Sequence, residues 1–260
     1  MRDDEPPAGY VQFTAGTARV VCAEHLADSL RSALAGSTLY DYASRHPAAR
    51  ALAGRGTAYA VSLPGDADRV VIRHNRHGGF LAPLTGDLFR SPTRAPLELR
   101  LSERLRALDV PTPRVVAYAR YAAFAGFERA DVATREVPES EDLSAALMSN
   151  DSRVRVGALH AAATLVATLA QAGARHHDLN VKNILMHTPR TGDMSAFVLD
   201  VDRVEFSKAG RDVLEANLAR LLRSARKWQS VHGARVTETE LLEVASAARA
   251  RSAGHLATLS

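Results

Sequence analysis

The sequence predicts an α+β chain in which a small β-rich N-terminal lobe precedes a mainly helical C-terminal lobe, and three observations carry that expectation. Short apolar runs bounded by turn residues fill much of the stretch from residue 54 to 118, a helix-period pattern dominates from 151 onward, and a glycine-stopped helix leads into a polar loop that opens a hairpin. The expected boundaries are 1–50 for an N-terminal lead-in of unassigned role, 51–135 for the first lobe and 136–260 for the second.

Residues 1–50 read as a polar start followed by helical pattern, with Leu26, Leu30, Ala33 and Leu34 on one face. Ala58–Leu63 and Arg69–Arg73, separated by the turn residues Pro64, Gly65 and Asp66, read as two antiparallel strands. Leu97, Leu101, Leu105 and Leu108 recur at helical spacing until Pro111 and Pro113 stop them, and a strand follows at 114–118. A helix over 151–172 carries the stripe Val156, Leu159, Ala163, Val166 and Ala170 and ends at Gly173. Asn183–Met186 and Ala196–Leu199 then read as a hairpin that ends at Asp200, with helices at about 211–230 and 237–251.

Composition narrows the class. A chain of 260 residues, 46% of them apolar, can bury a substantial core. The net charge of +4 favours an anionic partner but falls short of a nucleic-acid-coating protein, so no nucleic acid is expected. Cys22, the single cysteine, excludes an internal disulfide and a cysteine-based zinc site and points to a reducing compartment. The N-terminus is polar and proline-bearing where a signal peptide needs a basic start and an apolar run, and the Ala158–Gly173 stretch is too short to span a bilayer. The expectation is a cytoplasmic protein.

The residues that carry chemistry sit in the second lobe. Phosphoryl transfer requires an oriented hydroxyl, metal ions bridging phosphates and fixed positive charge. Asp178 lies two residues after His176 and five before Asn183, the spacing of an H-x-D-x-x-x-x-N catalytic loop in which the aspartate takes or orients the hydroxyl proton and the asparagine holds Mg²⁺. Asp200, at the end of the following hairpin, stands where a second metal-binding carboxylate belongs. The plain alternative, a turn cap at Asp178 and a loop-satisfying Asn183, does not account for the order and spacing of all three. For Asp202, metal binding and pairing with Arg203 remain two readings.

Upstream, Gly54 and Gly56 between two strands suit backbone approach to phosphate oxygens, although an ordinary tight turn has the same composition. Val70–Arg73 has the form of the strand that carries a phosphate-pairing cation, here Arg73, and Glu98 at the head of the next helix is the expected orienting carboxylate, with Glu103 on a solvated face. The basic run from Arg73 to Gly79 suits an anionic ligand or a solvated turn equally, His74 and His77 included. These assignments make 51–135 a nucleotide-binding lobe, 136–260 a catalytic lobe in a protein-kinase-like fold, and ATP with Mg²⁺ the cofactors.

With those residues in place, the sequence resembles the lipopolysaccharide core kinases, and most closely the Kdo (3-deoxy-D-manno-octulosonic acid) kinases of Gram-negative bacteria. The likeness covers Gly54–Thr57, Ile72–His74 with Arg76–Gly79, Thr93 and Arg94 with Glu98, Val110–Pro113, Asp178–Asn180 with Asn183–Leu185, Leu199–Arg203 and Asn217–Ser224. In that family arginine also occupies the position of Arg73. The resemblance implies ATP-dependent phosphorylation of a Kdo hydroxyl on a lipid A-linked acceptor at the cytoplasmic face of the inner membrane. Peripheral contact with that anionic surface fits the basic helix described below, and no protein partner is evident in the sequence. The chain departs from the family at Val201, where a large residue such as phenylalanine is usual, and at Asn75, where an aromatic is usual; both bear on sugar specificity more than on nucleotide chemistry.

Two other readings stand beside this one. The phosphate machinery also fits a kinase for heptose, an aminoglycoside or choline, since it says little about the acceptor. A nucleotide-binding pseudokinase is the other, and joint retention of Asp178, Asn183 and Asp200 speaks against it. A protein kinase needs more chain after Asp200 than the roughly ten residues before the next helix, and an Ala-Pro-Glu that is not there. In that helix Arg220, Arg223, Arg226 and Lys227 flank Leu218, Leu221 and Leu222, which suits attraction to an anionic surface, charge that is solvated or paired with acidic neighbours, or, for Arg220 and Arg223, buried pairing near the catalytic loop.

Overall fold

The computed structural model describes residues 5–52, 57–75, 89–90, 93–123, 126–189 and 192–256. The chain divides into two compact units, Met1–Glu103 with Arg114–Glu136 and Arg104–Pro113 with Val137–Ser260. Gly54, Gly56 and the run from Arg76 to Gly79 lie outside the described residues.

The first unit is built on an antiparallel sheet. It opens with a hairpin, β1 (Tyr10–Ala15) and β2 (Ala18–Ala23), where the sequence reading expects a polar lead-in and then helix. Gly16, at φ 58°, makes the two-residue turn between them, and Val20 to Ala23 are buried against the rest of the sheet. The expected helical face follows: Leu30 and Ala33 of α1 (Ala27–Ala33) are buried together with Leu26 and Leu34. Next, α2 (Leu39–Arg45) starts at Thr38, whose hydroxyl accepts the Asp41 N–H at 3.0 Å.

The remaining elements of this unit are β3 (Arg50–Leu52), β4 (Ala58–Ser62), β5 (Arg69–His74), β6 (Phe89–Arg90), α3 (Ala95–Ala107, of which the residues from Arg104 on belong to the second unit), β7 (Val115–Ala122) and β8 (Phe127–Arg135). The sheet runs β1-β2-β7-β8-β5-β4-β3, with β6 also paired to β8. The inward face of α3 keeps only Leu105 of the expected leucine stripe as a fully buried residue. Leu97 and Leu108 are 41% and 43% exposed, whereas Ala95, Glu98, Leu99, Ser102 and Leu105 are buried. Two polar residues belong to that face because both have partners inside: Arg73 for Glu98, and the Val115 N–H, which donates to Ser102 Oγ at 3.4 Å.

The second unit comprises β9 (Ser140–Asp142), α4 (Leu143–Met148), α5 (Ser152–Gln171), β10 (Ala174–His176), β11 (Ile184–His187), β12 (Ser195–Val198), β13 (Val204–Phe206), α6 (Arg211–His232) and α7 (Glu238–Leu256). Asp151 caps α5 by accepting the Arg153 N–H at 2.8 Å. Its small buried residues, Ala158, Ala162, Ala163, Ala167 and Ala170 among them, let α6 and α7 pack closely on it, while Val156 at the edge of the expected stripe is 36% exposed. By length and composition α5 is long and apolar enough to cross a membrane, but 56% of that window is buried inside the protein, as in a core helix.

The end of α5 sets up the loop that matters. Gly173 has φ 67°, and a Cβ there would lie 2.2 Å from the Ser207 carbonyl oxygen, so no other residue fits without moving the backbone. From this stop the chain enters β10, which pairs antiparallel with β13 so that His176 lies opposite Val204. The β11–β12 hairpin expected from the sequence pairs Ile184 with Val198, and β9 adds to β11.

Candidate active site

His176 is fully buried and both its ring nitrogens are occupied. Nε2 lies 2.9 Å from the Leu199 carbonyl, which can only accept, and Nδ1 lies 3.1 Å from the Asp178 N–H, which can only donate. Those partners require a neutral imidazole protonated at Nε2. Burial holds its pKa below the ordinary histidine value of 6.5, against the pull of the Leu199 carbonyl and of Asp200, Asp178 and Asp202. The ring therefore acts as a strut between two backbone segments: the one that carries Asp178 and the one that carries Asp200. The His176 N–H donates to Oδ1 of the fully buried Asn217 at 3.0 Å, and Asn217 Nδ2 donates to the Ala174 carbonyl at 3.0 Å, so α6 grips the loop from beneath.

Asp178 is half-buried and held by two asparagines. Asn180 Nδ2 donates to its Oδ1 at 3.0 Å and to its carbonyl at 3.1 Å; Asn183 Nδ2 donates to the same carbonyl at 2.8 Å and lies 3.4 Å from Oδ2. With the Asn183 amide nitrogen engaged, its oxygen is the group left for a cation. The Leu199 N–H donates to the Asn183 carbonyl at 2.9 Å, which ties Asn183 to the neighbour of Asp200. Asp200 itself adopts a left-handed conformation, φ 52° and ψ 45°, and leads into a 3-10 turn over Val201–Arg203 that contains Asp202. That backbone costs a non-glycine residue about 1 kcal/mol.

In the first unit Arg73 is brought to both a carboxylate and an amide. Its guanidinium forms an ion pair with the buried Glu98 and donates to Oδ1 of the buried Asn75 at 3.0 Å. The Arg73–Glu98 pair is the one expected from sequence; Asn75 as its second partner is not. A residue two positions along a strand lies on the same face, which is the signal that was there to find it.

His74 points the other way. Its Nδ1 lies 2.5 Å from Oδ1 of Asp131, a fully buried carboxylate directly across on β8. Asp131 Oδ2 accepts the Tyr121 O–H at 3.0 Å and the Tyr40 N–H at 2.9 Å, and the Tyr121 oxygen accepts the Leu39 N–H at 2.8 Å. Burial and the adjacent Asp131 charge push the Tyr121 phenol up. This cluster ties the start of α2 to the sheet, and sequence reasoning missed Asp131 although it interrupts the apolar run Ala130 to Ala133. Glu103 is not on a solvated face either: it accepts the Tyr10 O–H at 3.0 Å and lies 3.4 Å from Arg114 Nε.

The basic helix α6 divides its charges. Arg220 Nε donates to the His177 carbonyl at 2.9 Å and so supports the loop that carries Asp178. Arg226 makes a forked contact with Glu238 at 2.5 and 3.1 Å, which favours the pairing account of that residue over the membrane account. Arg223 and Lys227 are exposed.

Residues 43–244 match the family described as "Lipopolysaccharide kinase (Kdo/WaaP) family". The 3-deoxy-D-manno-octulosonic acid kinase of Vibrio vulnificus (strain YJ016) is 32% identical over 179 residues, covering 67% of this chain and 71% of that one. The protein of the same name from Stenotrophomonas maltophilia (strain K279a) is 32% identical over 179 residues, covering 67% and 68%. Among solved structures, "WaaP in complex with acyl carrier protein" is similar over 83% of this chain and 93% of that one, at 16% identity and a TM-score of 0.47.

Proposed function

The chain belongs to the lipopolysaccharide kinase (Kdo/WaaP) family, and on that premise we propose that it transfers the γ-phosphoryl group of Mg²⁺-ATP to a Kdo hydroxyl on a lipid A-linked acceptor, at the cytoplasmic face of the inner membrane. The observation that carries this reading is the placement of Asp178 between Asn180, Asn183 and the buried neutral His176, which also holds the segment of Asp200.

Asp178 accepts the proton of the acceptor hydroxyl as that oxygen bonds to the γ-phosphorus and the bond to the β–γ bridging oxygen breaks, releasing ADP. Asn183 and Asp200 supply amide and carboxylate oxygen, a donor set that suits a hard cation such as Mg²⁺. Among the described residues no group of three or more His, Cys, Asp or Glu is placed to hold a metal; nucleotide phosphates and water would complete the shell. When bound, the ion neutralises charge on the transferring phosphates. Arg73 pairs with the nucleotide phosphates, its plane set by Glu98 and Asn75, and His176 keeps the loop backbone fixed without exchanging a proton.

The test is incubation of the purified chain with Mg²⁺ and γ-labelled ATP against Kdo-lipid A, a heptosylated core and free sugars. Label is expected on the Kdo of Kdo-lipid A. Label on heptose alone would move the acceptor to heptose, and label on none of them would overturn the reading.

A further inference from the structure

In the loop between Asp178 and Asn183, the side chain of Lys182 makes its contacts away from both residues. Lys182 lies between them in sequence, and its backbone is fixed. The Lys182 N–H donates to Asn180 Oδ1 at 2.9 Å, and the amide nitrogen of the same Asn180 donates to Asp178 Oδ1 at 3.0 Å, so one carboxamide separates the Lys182 backbone from the Asp178 carboxylate. Its neighbour Val181 is pinned through its N–H to Ser224 Oγ of α6 at 3.2 Å.

The side chain is held too. Lys182 Nζ lies 2.9 Å from Asp142 Oδ2 and 5.0 Å from the ring centroid of Trp228, which in turn packs on His232 with ring centroids 4.3 Å apart. An exposed ion pair alone seldom fixes a lysine, because side-chain entropy offsets the attraction; an aromatic face under the ammonium adds a directional constraint. Even so, 50% of the Lys182 side-chain surface is exposed, and Asp142 takes only one of the three ammonium donors. Asp142 is itself divided, since its other oxygen accepts the Ser144 O–H and the Ala145 N–H at the start of α4.

A positioned cation with donors to give, beside an aromatic ring and on a residue whose backbone is one carboxamide away from the Asp178 carboxylate, fits an acidic sugar. The sugar carboxylate would take the ammonium and its C–H face would cover the ring. We infer that Lys182 and Trp228 form the acceptor subsite, Lys182 binding the carboxylate of an acidic sugar, with Asp142 keeping the ammonium in place between turnovers. This rests on the proposed reading of the chain as a kinase for such a sugar.

The test uses the full chain with Mg²⁺-ATP and two probes dispersed in detergent: Kdo-lipid A and its carboxyl methyl ester. Trp228 is the only tryptophan of the chain, so its emission reports occupancy independently of turnover. The acid is expected to change Trp228 emission at lower concentration than the ester, and to have a KM about ten- to a hundredfold lower. Lys182→Gln should raise the KM for the acid by a similar factor while leaving the KM for the ester and for Mg²⁺-ATP unchanged, and Lys182→Arg should restore part of the loss. Equal loss on acid and ester, or an unchanged KM for the acid, would overturn the inference. A wild-type chain that phosphorylates neither probe would instead overturn the acidic-sugar reading and take this inference with it.

Discussion

The two units hold their polar residues in different ways. In the candidate catalytic loop the bonds are local: His176 to Asp178, Asn180 to Asp178, Lys182 to Asn180 and Asn183 to Asp178 join residues two to five apart. In the first unit Arg73 meets Glu98 25 residues later, and Asp131 gathers His74, Tyr121 and Tyr40 from 57, 10 and 91 residues away. The loop's own backbone sets most of the first arrangement. The second exists only once the strands have paired. On the proposed reading, chemistry and stability are accordingly separable in this chain, with the loop assigned the former and the buried cluster around Asp131 the latter.

The largest effect expected is at Asp178. Asp178→Asn should lower turnover on the lipid-linked acceptor roughly a hundred- to ten-thousandfold while leaving the urea midpoint and the nucleotide-induced thermal shift near wild type. Near-wild-type turnover would remove the chemistry from this loop. The contrasting change is Asp131→Asn. It replaces an acceptor oxygen by a donor where the Tyr121 O–H, the Tyr40 N–H and His74 converge, and should cost about 2–4 kcal/mol by urea denaturation. A cost under about 0.5 kcal/mol would mean the cluster is not a stability element and would erase the contrast.

The same contrast decides what was legible in the sequence. Asp178, Asn183 and Asp200 could be singled out because their spacing along the chain is their geometry. The pair Arg73 and Glu98 could be expected from a strand followed by a helix with a carboxylate at its head. Asp131 could not, since its three partners come from β5, β7 and α2 and no short pattern joins them. The hairpin at Tyr10–Ala23 is hidden in the sequence because the leucines from Leu26 onward give a helical signal for an element that starts later, although Gly16 marks the turn. On α3 the leucine stripe misleads because the inward face includes Glu98 and Ser102, and a periodicity argument counts polar residues as outward.

A smaller effect sharpens the first-unit half of the comparison. Arg73→Lys should raise the KM for ATP several-fold, about five- to tenfold, because one ammonium cannot span Glu98 and Asn75 as a planar fork does. Wild-type kinetics in that variant would show that point charge alone suffices. The smallest effect concerns His176, whose folded-state pKa lies below 6.5. As pH falls below 6.5 the unfolded chain takes up this proton first, so stability is complete above that value and is lost as pH falls through the folded-state value, with a slope no steeper than about 1.4 kcal/mol per pH unit. His176→Gln should flatten the corresponding part of the stability profile, and an unchanged profile would mean that other groups set it.

The left-handed backbone at Asp200 has a consequence for how this chain would evolve under artificial selection. Glycine adopts that conformation without steric cost and asparagine tolerates it, whereas aspartate stays there at the expense of about 1 kcal/mol. A library screened for heat resistance alone should therefore accumulate Gly or Asn at position 200, yielding hardier proteins without the carboxylate, while a library screened for phosphate transfer should keep Asp.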